Sequence, residues 1–255
     1  MPELSKVQNL TYFSDVSSCG TSTAISVPCM FSDLGRAEFS AGHAAARDSL
    51  LDVLQRAGFE VVWYGNNSGC KGVCDKIGER RPDSEPDAAL CRKGLPCFDE
   101  ILLRDLEREL QKPTQRKVVV LHLIGSHGPG YHLRYPPAFE RYTPACKQVD
   151  FSKCSVAEIV NAYDNTMLYT DHVLARAINL LDERAASLHG ALWYVSDHGE
   201  SLGENGVFLH ALPYAIAPDL QTHVPMVFWQ GQGFERRLGV DSSCVAANRH
   251  RPISH

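Results

Sequence analysis

The sequence predicts an α/β domain with a mostly parallel central sheet covered by helices on both faces. Three observations lead there. Short runs rich in β-branched and aromatic residues recur along the chain, amphipathic helical patterns separate them, and the composition is that of an ordinary globular domain. Of 255 residues, 44% are hydrophobic and 22% charged, enough for one substantial core.

The strand-like runs are EVVWY at 60–64, KVVVLHLI at 117–124, ALWYVS at 191–196 and VPMVFW at 224–229. Between the ends of the chain, AARDSLLDVLQRAG (45–58) predicts a helix with Leu50, Leu51 and Leu54 on one face and Gly58 as its stop. A second helix opens with the capping box Ser155-x-x-Glu158 and carries Ile159, Tyr163, Met167, Val173, Leu174, Ile178 and Leu181 at helical spacing. No repeat or linker divides the chain, so residues 1–255 read as one domain.

Nine cysteines are present, and eight fall into close pairs: Cys19 with Cys29, Cys70 with Cys74, Cys91 with Cys97, Cys146 with Cys154. Eight cysteines allow 105 connectivities, and proximity selects the local one. The pairs predict disulfide staples formed in an oxidising compartment, with 70–98 as a stapled insertion. A zinc ribbon would need C-x-x-C knuckles, which the sequence lacks. Cys244 is left over and is expected to be buried or to have lost its partner. The formal net charge is −5 and the doubled basics, Arg80-Arg81 and Arg236-Arg237, are isolated, which excludes a nucleic-acid binder. No apolar run approaches the roughly 20 residues of a membrane span, and the first ten residues do not read as a signal peptide.

In folds of this class the working residues gather beyond the carboxyl ends of the strands. After 191–196 comes SDHGESLGENGVFLH, where Asp197 and His198 offer one oxygen and one nitrogen ligand to a divalent metal, and Glu200 and His210 share the same glycine-punctuated loop. After 117–124 comes GSHGPGYH with His127, and after 60–64 comes GNNSGCKGVC with Asn67 and Lys71, residue types suited to phosphate oxygens. His43, His132, His172, His189 and His223 have no such setting and read as surface or core histidines.

The stretch SCGTSTAISVPC (18–29) places four hydroxyls between two cysteines. A threonine hydroxyl needs help to lose its proton. A helix N-terminus supplies about 0.3–2 kcal/mol. Metal coordination can lower the pKa of bound water from about 15.7 to about 7, or about 12 kcal/mol. A hydroxyl held against a metal on Asp197 and His198 therefore becomes an alkoxide-like nucleophile, held still by a Cys19–Cys29 bridge.

SSCGTSTAISVPCMFSDLG, NNSGCKGVCDK, GSHGPGYHLRYP, NAYDNTMLYTD and SDHGESLGENGVFLHALP together resemble the lipid A phosphoethanolamine transferases of the alkaline phosphatase and sulfatase superfamily, the group that includes the mobile colistin resistance enzymes. The resemblance extends over nearly the whole chain. It implies a zinc-dependent domain facing the periplasm, anchored to the inner membrane by upstream helices, that acts as a monomer and moves phosphoethanolamine from phosphatidylethanolamine to a lipid A phosphate. It implies Thr23 as the nucleophile and Thr23, Asp197 and His198 as zinc contacts. Asn67, Lys71, His127, Glu200 and His210 would hold the transferred group or a second zinc, with His127 or His210 as general acid. Polymyxin resistance would follow from the lost negative charge. Two departures stand out: the family's glutamate zinc ligand from a strand upstream of the threonine has no counterpart here, and RHRPISH ends where the family continues. The chain is therefore expected to be a fragment truncated at both ends, without its membrane domain, and incomplete in its zinc site. The alternatives are a related phosphoglycerol or core-heptose phosphoethanolamine transferase, or an inactive fragment.

Overall fold

The computed structural model describes residues 1–82, 89–112 and 116–255. In the first half, β1 (Leu10–Phe13) and β2 (Val16–Ser17) lead into α1 (Thr23–Met30), α2 (Ala41–Ala45) and α3 (Leu50–Arg56). Then come β3 (Glu60–Gly65), β4 (Glu79–Arg80), α4 (Ile101–Gln111) and β5 (Lys117–His122). The second half holds α5 (Val156–Asp182), β6 (Ala191–Val195), β7 (Ser201–Leu202), β8 (Phe208–Leu209) and α6 (Asp219–Thr222), and ends with β9 (Met226–Gln230), α7 (Gln232–Leu238), α8 (Ser242–Ala247) and β10 (Ile253–Ser254).

All four predicted strands form, as β3, β5, β6 and β9. The parallel pairing centres on β3, which lies between β4 and β5, with Trp63 opposite Val120. Around β9 the pairing is antiparallel: β1 and β6 flank it, with Thr11, Phe228 and Trp193 in register. Five of the six β3 residues are buried, as expected of a strand covered on both faces. Val61 and Trp63 pack with Leu51 and Val27 of the helices α3 and α1, whereas Val62 and Tyr64 pack with Ile101 and Leu102 of α4. Alternation along one strand thus puts two helical layers on opposite sides.

Helix α5 begins with the predicted capping box: Ser155 Oγ accepts from the Glu158 amide and the Glu158 carboxylate accepts from the Ser155 amide. One stripe, Tyr169, Val173 and Ala177, packs with Leu103 and Leu106 of α4; the adjacent Leu174 and Ile178 pack on Trp229 and Leu4. Each fully buried side chain of this size stabilises the fold by about 1.5–3 kcal/mol.

The predicted helix over 45–58 is shorter, α3 covering only Leu50–Arg56 of it, while Ala45 ends α2. Ser49 caps α3 by a box with Asp52, which starts a new helix at Leu50. Leu50 is then the first helical residue and is 50% exposed, so only Leu51 and Leu54 of the expected face reach the core. All four local cysteine pairs are bonded as disulfides. Cys244 is exposed, not buried, because it lies on the short surface helix α8. Among the described residues no helix is long and apolar enough to cross a membrane.

Candidate active site

Residues 19–29, the hydroxyl-rich stretch between two cysteines, contain a helix. Ser22 is extended and precedes α1, so Thr23 is the first helical residue, and the Cys19–Cys29 bridge ties the approach to the last turn. The structure separates the hydroxyls. Ser18 Oγ donates to the Gly20 carbonyl (2.7 Å), Ser26 Oγ donates to the same carbonyl (2.9 Å) and accepts from the Gly20 amide (3.0 Å), and Thr21 Oγ1 donates to the Leu212 carbonyl (2.6 Å). These three hold backbone. Thr23 Oγ1 instead faces His198 Nε2 at 3.4 Å in a buried setting.

His198 is oriented by its own loop. Its Nδ1 lies 2.9 Å from the Gly199 carbonyl, which can only accept, so the proton sits on Nδ1 and Nε2 presents a lone pair. Asp197 Oδ2 lies 3.6 Å from that nitrogen and is buried with no hydrogen-bond partner among the described residues. Two ligands at about 2.0–2.1 Å from one tetrahedral zinc are roughly 3.3–3.4 Å apart. The two separations around His198 Nε2, 3.4 and 3.6 Å, match that edge, and the orphaned oxygen of Asp197 suits a cation. A second group, His198, Glu200 and His210, offers ligand atoms all within 4.8 Å of one another.

The loop after β6 folds back through the β7–β8 ladder, which brings Glu200 and His210 together: His210 Nδ1 is 3.0 Å from Glu200 Oε2. The hydrogen bond that His210 donates to this carboxylate raises the histidine's pKa against the effect of burial. The His210 ring lies 4.2 Å from His198 and 5.0 Å from His127, centroid to centroid. Burial, with the neighbouring His210, lowers the pKa of His127. The loop is held by Gln221, fully buried, whose Nε2 donates to Ser201 Oγ (3.0 Å) and the Leu209 carbonyl (3.1 Å), and by the Ala211 amide donating to the Thr21 carbonyl (2.8 Å).

Thr23, Asp197, His198, Glu200, His210 and His127 thus form one cluster. Asn67 sits at its edge, where its Nδ2 donates to the Leu123 carbonyl (3.2 Å) and it shares a cavity with His127. Lys71 turns back on its own loop, Nζ donating to the carbonyl and Oγ of Ser68 (2.8 Å each), so its amine is not aimed at Thr23. Sequence reasoning missed Asp99, which is 2% exposed. It accepts from Asn66 Nδ2 (2.7 Å), the Ile124 amide (2.9 Å) and the Gly125 amide (2.8 Å), and so ties the loops after β3 and β5 together. It also missed Arg134, whose Nε donates to the His127 carbonyl (2.9 Å). No sequence pattern marks Asp99; Arg134 lies in the quoted GSHGPGYHLRYP.

Residues 1–255 match the family model described as Sulfatase. The chain is 46% identical over 244 residues to the phosphoethanolamine transferase EptA of Escherichia coli K12, covering 96% of this chain and 44% of that protein. It is 42% identical over 234 residues to the phosphatidylethanolamine transferase Mcr-1 of Escherichia coli, covering 89% of this chain and 43% of that protein. It therefore spans less than half the length of these relatives. The solved soluble domain of lipooligosaccharide phosphoethanolamine transferase A from Neisseria meningitidis superposes with a TM-score of 0.94 at 46% identity, covering 100% of this chain and 76% of that one. By fold and sequence alike, the chain belongs to the Sulfatase family, in the branch formed by the catalytic domains of the lipid A phosphoethanolamine transferases.

Proposed function

We propose that this chain is the catalytic domain of an inner-membrane enzyme, facing the periplasm, that transfers phosphoethanolamine from phosphatidylethanolamine to a lipid A phosphate through Thr23. The observation that carries this reading is the buried Thr23 Oγ1 facing His198 Nε2 at 3.4 Å, next to an unpartnered Asp197 oxygen. Thr23, Asp197 and His198 would hold zinc, which when bound supplies the electrostatic stabilisation that makes a threonine hydroxyl acidic enough to react. His198, Glu200 and His210 are the residues to which a second ion would bind.

The remaining chemistry belongs to the chain. Thr23 stands first in α1, so the free amides of that first turn face phosphoryl oxygens brought to its hydroxyl. Attack by Thr23 Oγ1 on the donor phosphorus forms a P–O bond and breaks the bond to diacylglycerol, whose oxygen leaves with the electron pair. When no second ion occupies the His198, Glu200 and His210 group, His210, whose pKa is raised by its hydrogen bond to Glu200, gives that oxygen its proton. His127, neutral and beside His210, hydrogen-bonds the phosphoethanolamine now on Thr23. In the second step an acceptor phosphate oxygen bonds to the phosphorus and passes its proton to His210, while the bond to Thr23 breaks with the electron pair going to Oγ1, which regains from solvent the proton it released before the first attack. Masking a lipid A phosphate in this way lowers the charge that attracts cationic polymyxins, so resistance to them follows.

The test is the donor half-reaction: the chain restored to its full-length context, incubated with phosphatidylethanolamine without acceptor, then analysed by intact mass and peptide mapping. A phosphoethanolamine adduct on Thr23, absent from Thr23→Ala and from chelator-treated protein, is expected. An adduct that persists in Thr23→Ala would refute the assignment.

A further inference from the structure

Against His127 lies a cavity of about 440 Å³ whose lining includes neither Thr23 nor His210. Its polar lining is Asn66, Asn67, Ser68, Arg81, His127 and Arg134, and no acidic residue lines it among those described. Arg134 is half-buried. Its Nε is engaged by the His127 carbonyl, but its two terminal nitrogens bond no protein atom among the described residues. Asp99, the carboxylate whose charge acts on Arg134, has both oxygens occupied by Asn66, Ile124 and Gly125. Arg134 lines the cavity, so its free terminal nitrogens are available to donate charge-assisted hydrogen bonds to an anion there. Arg81 adds a second guanidinium at the rim, held by the Asn67 carbonyl (2.9 Å) and Glu79 (3.1 Å). The apolar part of the lining is Pro82, Leu95, Pro96 and Ile124.

We propose that this cavity binds a sugar phosphate monoester, the acceptor group, with the phosphate on Arg134 and Arg81 and the sugar against the apolar part of the lining. Guanidinium groups match phosphate in geometry and charge, and the volume lies within the range of small-ligand sites of about 300–1,000 Å³, well above what a bare phosphate fills. His127 is shared between this cavity and the Thr23 cluster, so an acceptor held here lies next to the phosphoryl group to be transferred. The acceptor role rests on the function proposed above; the binding is read without turnover, so the two can fail separately.

The test is calorimetric titration of the chain with glucosamine 1-phosphate, glucosamine and inorganic phosphate. The phosphosugar is expected to bind, glucosamine not to bind, and inorganic phosphate to bind more weakly. Arg134→Gln should weaken the phosphosugar about ten- to a hundredfold, the loss of a charge-assisted contact. Arg81→Gln, at an exposed position that does not endanger folding, should weaken it several-fold, while Thr23→Ala should bind as the parent does. Parent-like affinity in both arginine variants, loss of binding in Thr23→Ala, or no binding by the parent would overturn the proposal. Equal affinity for inorganic phosphate and phosphosugar would overturn the assignment to a sugar. An Arg134→Gln chain that fails to unfold cooperatively leaves the decision to Arg81→Gln.

Discussion

Glu109→Gln should cost this domain about 2 kcal/mol at neutral pH and nothing near pH 2. The Glu109 carboxylate on α4 is inaccessible to solvent and accepts from Tyr64 Oη of β3 (2.7 Å), Lys117 Nζ of β5 (2.7 Å), Lys112 Nζ (2.6 Å) and Arg80 (3.0 Å). Burial alone would raise its pKa; the hydrogen bonds from Lys112, Lys117 and Tyr64 outweigh that and lower it from 4.5 to about 2. At about 1.36 kcal/mol per unit the full shift corresponds to roughly 3 kcal/mol. Arg80 and Lys112 are 49% and 46% exposed and therefore screened by water, which reduces the figure to about 2 kcal/mol. The folded pKa lies below the unfolded one, so this stabilisation is present above about pH 4.5 and is lost as pH falls toward about 2, more than half of it by pH 3. For a domain of this size about 2 kcal/mol lowers Tm by about 4–8 °C. Calorimetric unfolding of both proteins from pH 7 to pH 2.5 checks this. A parent-variant gap that is absent at pH 7, or that stays constant to pH 2.5, would refute the reasoning.

Two further substitutions address the site itself. A Cβ on Gly199 would stand 1.9 Å from the Leu220 carbonyl oxygen, a backbone atom with no room to yield, so Gly199→Ala should destabilise by about 1–3 kcal/mol and move His198. Formation of the Thr23 adduct should then fall further than stability does; an unchanged adduct rate would show that the loop has a second way to seat His198. Replacing Cys19 and Cys29 together by serine opens a ten-residue loop, worth about 3 kcal/mol in the chain-entropy model. Urea unfolding should register that loss, and a midpoint equal to the parent's would mean that Ser18 and Ser26 hold the turn without the bridge.

Much of the fold was legible because its signals are local. The runs that become β3, β5, β6 and β9 stand out by composition, the Ser155–Glu158 box marks the start of α5, and the cysteine pairs close in sequence are the pairs that bond. Asp197, His198 and His127 were legible as candidates because each follows a strand in a glycine-rich loop, where this class of fold collects its working groups. Helix α1 was not legible: it is apolar nearly all round and contains Pro28, so no amphipathic stripe announces it.

What the sequence by itself determined, then, is the set of elements and the loops in which chemistry could lie, since hydrophobic period, caps and cysteine spacing act over a few residues. Tertiary structure decided which groups meet. Thr23 and His198 are 175 residues apart, and only the fold distinguishes Thr23 from Thr21, whose hydroxyl holds the Leu212 carbonyl. The Glu109 network joins one helix to three strands, Asp99 ties two strand-end loops, and Arg134 is left with open nitrogens among the described residues because the carboxylate near it is already satisfied. Each of these depends on strand order and packing, which bring distant side chains within hydrogen-bond reach, and no pattern along the chain encodes that distance.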